Sequence, residues 1–373
     1  LILLMIILAA TGMSAAQEPA MQQLSDWPSL MFHIKINETL DFCGEPVALH
    51  LQEVRERLEK ELLLTIWDRP QVALWIKRST RYLPIIENML RENDMPDDLK
   101  YVAIIESALR PHAGSSKGAI GFWQFLKSTG QKYGLRINAE IDERRNIFAS
   151  TRAAVNYFKA LYEMLGSWTL SAAAYNMGEL GLQTEMASQK SRDYYQLYLP
   201  LETQRYVFRI IAAKLILTDP VRFGFQYTEQ DLYPPLAFDR IQIECFQDTP
   251  MQIVAQAANT YFKVIKDLNP ELRGHFLAAG THSLLIPPGS AEGFDARFKQ
   301  QFQQWQAKNL ERVYVVQKGD SLTDIAERFN VPLPALLIWN RLDSRKPIHP
   351  GDRLVIYPNE NMATQEDQDE GDR

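Results

Sequence analysis

Between Leu99 and Leu109 the chain reads Leu-Lys-Tyr-Val-Ala-Ile-Ile-Glu-Ser-Ala-Leu, a helical run that is apolar on almost every side. A helix without a polar face cannot lie on a surface, so other elements must enclose it. The surrounding sequence supplies them. Leu49 to Leu217 is filled with helical periodicity punctuated by Pro, Gly and Asp, and no strand-rich stretch interrupts it. Asp68-Arg69-Pro70 and Asp94-Met95-Pro96 read as helix starts, Gly166 and Gly178 as stops, and Leu199-Pro200 as the entry to a last long helix. Residues 49–228 are therefore expected to form one mostly helical domain.

Glu106 sits inside the apolar run and shares a helical face with Leu99, Val102 and Ala103. Desolvation there disfavours the charged carboxylate and lifts its pKa toward the working pH of a general acid. The competing reading is a structural glutamate at a helix end, paired with Arg110 or Arg144. The stretch that follows, Ser115-Ser116-Lys117-Gly118-Ala119-Ile120-Gly121-Phe122-Trp123-Gln124, carries glycines and small residues that permit tight turns beside Glu106, as one wall of a cleft would need. The Gln124 amide can donate and accept, which suits sugar hydroxyl or acetamido groups, whereas Phe122 and Trp123 read as core. Farther on, Ala172-Ala173-Ala174-Tyr175-Asn176 places a phenol and an amide after three small residues. Tyr206, within Glu202-Thr203-Gln204-Arg205-Tyr206-Val207, would by itself read as another core aromatic.

At about 150 residues per domain, 373 residues make two to three domains. The character changes after Gly224: Tyr233-Pro234-Pro235 marks a linker, and short β-type runs follow at Arg240 to Phe246 and Ser283 to Pro287. A similar unit runs from Glu311 to Pro358, with Val313-Tyr314-Val315-Val316 opening it and Arg353-Leu354-Val355-Ile356-Tyr357-Pro358 closing it. The two are weak internal repeats. Asp248-Thr249 parallels Asp320-Ser321, Ile253 parallels Ile325, Asn269 parallels Asn340, and Leu284-Leu285-Ile286 parallels Leu354-Val355-Ile356. That spacing fits two βααβ units, at 240–290 and 311–358, joined by a linker at 291–310.

Charge and cysteine usage exclude several classes. The 40 basic and 46 acidic residues leave a net charge of −6, which argues against nucleic acid as a partner. Six acids between Asn359 and Arg373 supply most of it, and that tail, 359–373, lacks the composition to form a core. Cys43 and Cys245 show no zinc spacing, and no two of the six histidines stand four residues apart, so no metal and no cofactor are expected. Leu1 to Ala10 is an apolar run too short to span a bilayer, followed by the small residues Gly12, Ser14, Ala15 and Ala16; residues 1–16 read as a signal peptide. Residues 17–48 read as an N-terminal linker. Leu40-Asp41-Phe42-Cys43 lacks the small residues of a lipoprotein box, so Cys43 is not read as lipidated. Export allows either a Cys43–Cys245 disulfide or two buried thiols.

Taken together, Glu106-Ser107, Ser115 to Gln124, Ala174-Tyr175-Asn176 and Glu202 to Val207 resemble, in order and spacing, the motifs of lytic transglycosylases with the lysozyme-like fold, most of all the membrane-bound murein transglycosylase D type. Val313 to Pro358, with Gly319, Asp320, Ser321, Leu322 and Asn340, similarly looks like a LysM module, which implies binding of N-acetylglucosamine-containing glycan. The earlier copy is degenerate: Gln247 precedes Asp248 and Pro250 stands where Leu322 does. The resemblance implies an α+β chain, with a helical lysozyme-like domain followed by a degenerate LysM-like and a LysM βααβ module. It implies an exported enzyme of the periplasm or cell envelope acting on peptidoglycan glycan strands, with membrane association left open. Glu106 would be the acid and then the base, and Ser107, Ser115, Gln124, Tyr175, Asn176 and Tyr206 would contact or position substrate. The alternatives are a hydrolytic muramidase or chitinase, should Asp142 or Glu143 supply a second carboxylate, and a noncatalytic wall-binding scaffold. Asp142 to Asn146 is read instead as capping the helix that begins near Asn146.

Overall fold

The computed structural model describes residues 34–36, 39–310, 313–343 and 345–357, so the expected signal peptide, 1–16, and the acidic tail, 359–373, lie outside the described residues. The chain divides into two units, Leu1–Tyr133 with Ile147–Pro235 and Gly134–Asn146 with Leu236–Arg373. No helix among the described residues is long and apolar enough to cross a membrane. Both cysteines are free thiols.

The first unit opens with a hairpin, β1 (Asp41–Phe42) and β2 (Glu45–Pro46), where a linker was expected over 17–48. Phe42 is fully buried, and Cys43 and Gly44 turn the chain in left-handed conformations. Helices α1 (Gln52–Trp67) and α2 (Arg69–Arg91) follow. Asp68 caps α2 by accepting from the Gln71 amide at 3.3 Å, with Pro70 in the first turn, as the sequence predicts. The apolar run becomes α3 (Lys100–Ser107), and α2 and the last helix of the unit pack against it.

Helix α3 is shorter than the pattern suggested. It stops at Ser107 because Ala108 (φ 52°) and Leu109 (φ 57°) both turn left-handed, without a glycine. Each such residue costs roughly 1–2 kcal/mol. Burial of Leu109 and the Arg78 guanidinium, which donates to the Ala108 carbonyl at 3.1 Å, hold the turn in place. A short α4 (Lys127–Lys132) follows, and then α5 (Ile147–Leu165), α6 (Trp168–Met177), α7 (Glu179–Gln189) and α8 (Leu201–Thr218). Gly178 ends α6 at φ 91°, a conformation other residues rarely adopt. Glu45 of the hairpin binds the other end of α6, accepting from the Trp168 amide and, at 3.0 Å, from the Thr169 amide. A carboxylate at a helix N-terminus satisfies unpaired N–H groups and complements the dipole.

Gly134–Asn146 departs from the expectation of one continuous 49–228 domain, because it belongs to the second unit. The Asp142 amide donates to the Glu271 carbonyl and the Arg273 amide to the Glu140 carbonyl, both at 2.8 Å. The remainder of that unit holds the two repeats. In the first, β3 (Asp239–Cys245) pairs antiparallel with β6 (Gly280–Ile286), and β4 (Thr249–Pro250), α9 (Met251–Ala257), α10 (Phe262–Leu268) and β5 (Phe276–Leu277) lie between them in sequence. After α11 (Phe294–Leu310), the second runs β7 (Val313–Val315), α12 (Leu322–Arg328), α13 (Leu333–Trp339) and β8 (Arg353–Val355), with β7 and β8 antiparallel. The linker expected at 291–310 is thus largely a helix. Its signal was present in the sequence: Phe294, Phe298 and Phe302 recur every four residues, and their rings stack at 5.8 and 6.2 Å.

Each repeat closes on an asparagine. Asn269 Nδ2 donates to the Ile265 and Leu285 carbonyls at 2.8 Å while its Oδ1 accepts from the Leu285 amide. Asn340 makes the same three bonds, to Leu336 O, Val355 O and the Val355 amide. Asn269 is fully buried, so Asn269→Ala strands backbone groups with no route to water. We expect it to lower the stability of the second unit by about 2–4 kcal/mol in urea unfolding, and Asn340→Ala, whose site is only partly buried, to lower it by less.

Candidate active site

The carboxyl of Glu106 accepts a hydrogen bond from the Tyr206 hydroxyl. Helix α3 carries the acid near its C-terminal end, and α8 carries the phenol with its ring buried. Burial pushes the Glu106 carboxyl up to about 7; the Tyr206 hydrogen bond and the nearby Arg209 charge pull the other way, and the Glu202 charge adds to the rise. The Tyr206 phenol is raised well above its ordinary value by burial and by the Glu106 charge, so it remains a donor at any physiological pH. The paired-glutamate alternative does not describe the structure. Arg110 donates to the Ser107 carbonyl at 3.1 Å, and Arg144 pairs with Asp142 at 2.8 Å.

Around this pair the motif residues fall into three connected groups. Ser107 is buried, its hydroxyl donating to the Phe122 carbonyl at 2.8 Å and lying 2.9 Å from the Ala103 carbonyl, so it ties the loop to the helix. In that loop the Gln124 amide nitrogen donates to the Ala113 and Gly121 carbonyls at 3.1 and 2.9 Å. Exposed Ser115 accepts from the Ala119 amide at 3.1 Å, and Phe122 and Trp123 are core. Tyr175 donates to the Trp123 carbonyl at 2.7 Å and stacks on Phe158 at 4.7 Å. Burial, and secondarily the Glu106 charge, raise its phenol well above the ordinary value. Asn176 accepts from the Thr203 hydroxyl at 2.8 Å, one turn before Tyr206 on α8.

A cavity of about 330 Å³ opens on Glu106. Ser107 also lines it, while Ser115, Gln124, Tyr175 and Asn176 do not. Its other walls come from residues the sequence reading did not assign. Glu61 on α1 is 3% exposed and takes two bonds from Arg205, at 2.6 and 3.0 Å. That pair fixes α8 against α1 beside Tyr206. Arg209 donates to the Ile105 carbonyl at 3.3 Å. Trp75 also lines the cavity, and its indole N–H is buried with no partner among the described residues. The sequence carried one clue: Glu61 falls at helical spacing from Val54 and Leu58, a charge on an otherwise apolar face.

Of the other nearby carboxylates two are engaged and the third, Glu202, is solvent-exposed. Glu61 holds Arg205, Asp68 caps α2, and Glu202 lies 3.8 Å from Lys117. Asp142 and Glu143, the sequence candidates for a second acid, belong to the second unit and hold Arg144 and Arg136 at 2.8 and 2.7 Å. Among the described residues no group of three His, Cys, Asp or Glu side chains could hold a metal ion.

The family described as Transglycosylase SLT domain matches residues 84–198, and that described as LysM domain matches residues 314–356. Over 329 residues the chain is 33% identical to the protein named membrane-bound lytic murein transglycosylase D from Escherichia coli strain K12, covering 84% of this chain and 72% of that one. The protein of the same name from E. coli O6:H1 matches equally. A solved structure, the 70 kDa soluble lytic transglycosylase of E. coli, aligns at 18% identity and a TM-score of 0.34 over 48% of this chain, which spans about a third (32%) of that enzyme.

Two outcomes follow from the raised carboxyl. Tyr206→Phe removes a donor that favours the ionised form, so the Glu106 pKa rises and the alkaline limb of kcat/KM, near pH 7, moves to higher pH in a pH–rate profile. The native state holds the Glu106 proton more tightly than the unfolded chain, so its contribution is fully present below the ordinary carboxyl pKa near 4.5 and is lost as pH rises to about 7. Glu106→Gln is therefore expected to be more stable than the parent by about 2–3 kcal/mol at pH 8, with no such gain at pH 4, in urea unfolding.

Proposed function

This chain belongs to the family of membrane-bound lytic murein transglycosylase D, and we propose that it cleaves the β-1,4 bond between N-acetylmuramic acid and N-acetylglucosamine in peptidoglycan without consuming water. The observation that carries the reading is the carboxyl at Glu106, raised to about 7 and bonded to Tyr206, while Glu61 and Asp68, the other carboxylates lining its cavity, are each bonded to another group. A two-carboxylate glycosidase needs a partner acid about 5–10 Å away. Here one group serves twice.

Glu106 enters the reaction protonated. It gives its proton to the glycosidic oxygen as the bond from that oxygen to the muramyl C1 breaks, and the N-acetylglucosamine departs with a free 4-hydroxyl. The substrate's own acetamido oxygen stabilises the electron-poor C1. The Glu106 carboxylate then takes the proton of the muramyl 6-hydroxyl as that oxygen bonds to C1, giving a 1,6-anhydro sugar and restoring the acid. A pKa near neutrality suits both steps, because the group must donate and accept with similar ease. Tyr206 holds the carboxyl in place and favours its charged state between the steps. Ser107, Ser115, Gln124, Tyr175 and Asn176 shape and fix the loop and helix end that hold the sugar, so their contribution is positioning and electrostatics. No cofactor enters either step.

The LysM module adds binding to the same polymer through its first loop, with Gly319, Asp320, Ser321 and Leu322 at the glycan and Asn340 clamping the closing strand. Such a substrate lies in the cell envelope. Export through residues 1–16, a periplasmic or envelope location, and action on glycan strands at the membrane or away from it belong to this proposal.

Digestion of sacculi followed by mass spectrometry tests the chemistry. Anhydromuramyl ends are expected; reducing ends, one water heavier, would make the protein a hydrolase. Glu106→Gln should lower cleavage by about 10³-fold or more while sacculus binding persists. Deleting Val313 to Arg373 should weaken sacculus binding and leave cleavage of soluble fragments, and equal loss of both would deny the modules their independence.

A further inference from the structure

Within the second unit, a cavity of about 620 Å³ lies among the degenerate repeat, α11 and the second helix of the LysM module. That size falls within the roughly 300–1,000 Å³ of small-ligand clefts. Five aromatic rings share its apolar wall with Pro250, Ile253, Ala335 and Ile338: Phe262 and Phe276 come from the degenerate repeat, Trp305 from α11, and Trp339 and Tyr357 from the LysM module. Its polar wall is a set of primary amides, with Gln252 and Gln256 one helical turn apart on α9 and Gln301 and Gln304 on α11. None of the side chains lining it is Asp, Glu, Lys or Arg. His275, also in the lining, has its pKa lowered by burial and by the Lys266 charge, which leaves it neutral at pH 7.

The walls are tied together. The Trp305 indole N–H donates to the Tyr357 hydroxyl at 3.1 Å, and the Trp339 ring meets Tyr357 edge-on at 5.1 Å. Arg341 of the LysM module pairs with Asp248 of the degenerate repeat at 2.8 Å, and its guanidinium lies 5.2 Å from the Phe276 ring. These contacts make the cavity a product of both repeats and α11, separate from the LysM loop at Gly319 to Leu322, none of whose residues lines it.

We propose that this cavity is a second glycan subsite, taking an uncharged N-acetylglucosamine unit of the strand. Pyranose rings present flat C–H faces that aromatic rings cover, and their hydroxyl and acetamido groups need partners that both donate and accept, which primary amides supply. A stem peptide carries carboxylates and an ammonium group, and this lining offers no opposite charge to either. The degenerate repeat thereby has a use despite its altered first loop: it contributes half of a site that the LysM module completes. The inference rests on the reading of the chain as a peptidoglycan enzyme and adds where the glycan is held.

The test is hydrogen exchange on the full chain carrying Glu106→Gln, so that the probe is not cut. The probe is the N-acetylglucosamine tetrasaccharide, with a synthetic stem tetrapeptide as the comparison. At about ten times Kd the tetrasaccharide is expected to slow exchange roughly tenfold in residues 250–262 and 301–305. Adding Gln252→Ala and Gln256→Ala, both exposed on α9, is expected to abolish that protection and to leave any protection of 317–323 intact. Protection confined to 317–323 overturns the second subsite and leaves the LysM reading standing. Protection of 250–262 by the tetrapeptide alone overturns the assignment to glycan. No protection by the tetrasaccharide anywhere overturns both the subsite and the glycan-binding reading beneath it.

Discussion

The hydrogen bond from Tyr206 to Glu106 is the interaction on which the catalytic unit turns. A carboxyl on a helix as apolar as α3 loses most of its hydration, and the favourable response is to keep its proton. A single phenolic donor offsets part of that cost, so the group ends near neutrality rather than as a permanent acid or a permanent anion. The phenol can fill this role because its own burial keeps it protonated. Everything around the pair serves to hold two side chains from distant parts of the sequence at bonding distance.

That support is built from contacts that look unremarkable singly. The Glu61–Arg205 pair locks α8 against α1 at the residue before Tyr206. Ser107 anchors the Gly-rich loop to the end of α3, and Tyr175 and Asn176 connect α6 to that loop and to α8. The left-handed pair Ala108–Leu109 ends the helix abruptly beside the acid, which leaves Glu106 in the last turn and open to the cavity. Strain of this kind persists only where neighbours over-determine it, here through a buried leucine and an arginine on the Ala108 carbonyl. In the second unit, the repeated asparagine clamp does the corresponding work, joining the second helix of each βααβ module to its closing strand.

Much of this was legible in advance because local chemistry decided it. Asp68 with Pro70 begins a helix, Gly178 ends one, and Phe122 and Trp123 are core, for reasons contained within a few residues. The repeat offset near Asn269 and Asn340 marked two copies of one module, since each copy needs the same clamp. Less legible were the features whose cause lies far away in sequence. The hairpin at Asp41–Pro46 is ordered by burial of Phe42 and by the α6 N-terminus that Glu45 caps. The helix at 294–310 carries a local signal in the four-residue spacing of Phe294, Phe298 and Phe302, yet 291–310 was expected to be a linker. The Gly134–Asn146 excursion into the second unit has no sequence signal, since its partners, Glu271 and Arg273, come more than a hundred residues later.

By itself the sequence determined that an apolar helix would carry one glutamate into a helical domain, and that two related βααβ modules would follow it. Periodicity, turn residues and repeat spacing act over short stretches and need no knowledge of the whole. Only the tertiary structure decided what that glutamate would meet. The separation between residues 106 and 206, like that between 61 and 205, is closed by helix packing, and packing is a property of all the faces at once. Hence a raised carboxyl at Glu106 could be expected from the apolar run around it, whereas the Tyr206 donor that moderates the rise was decided only by packing.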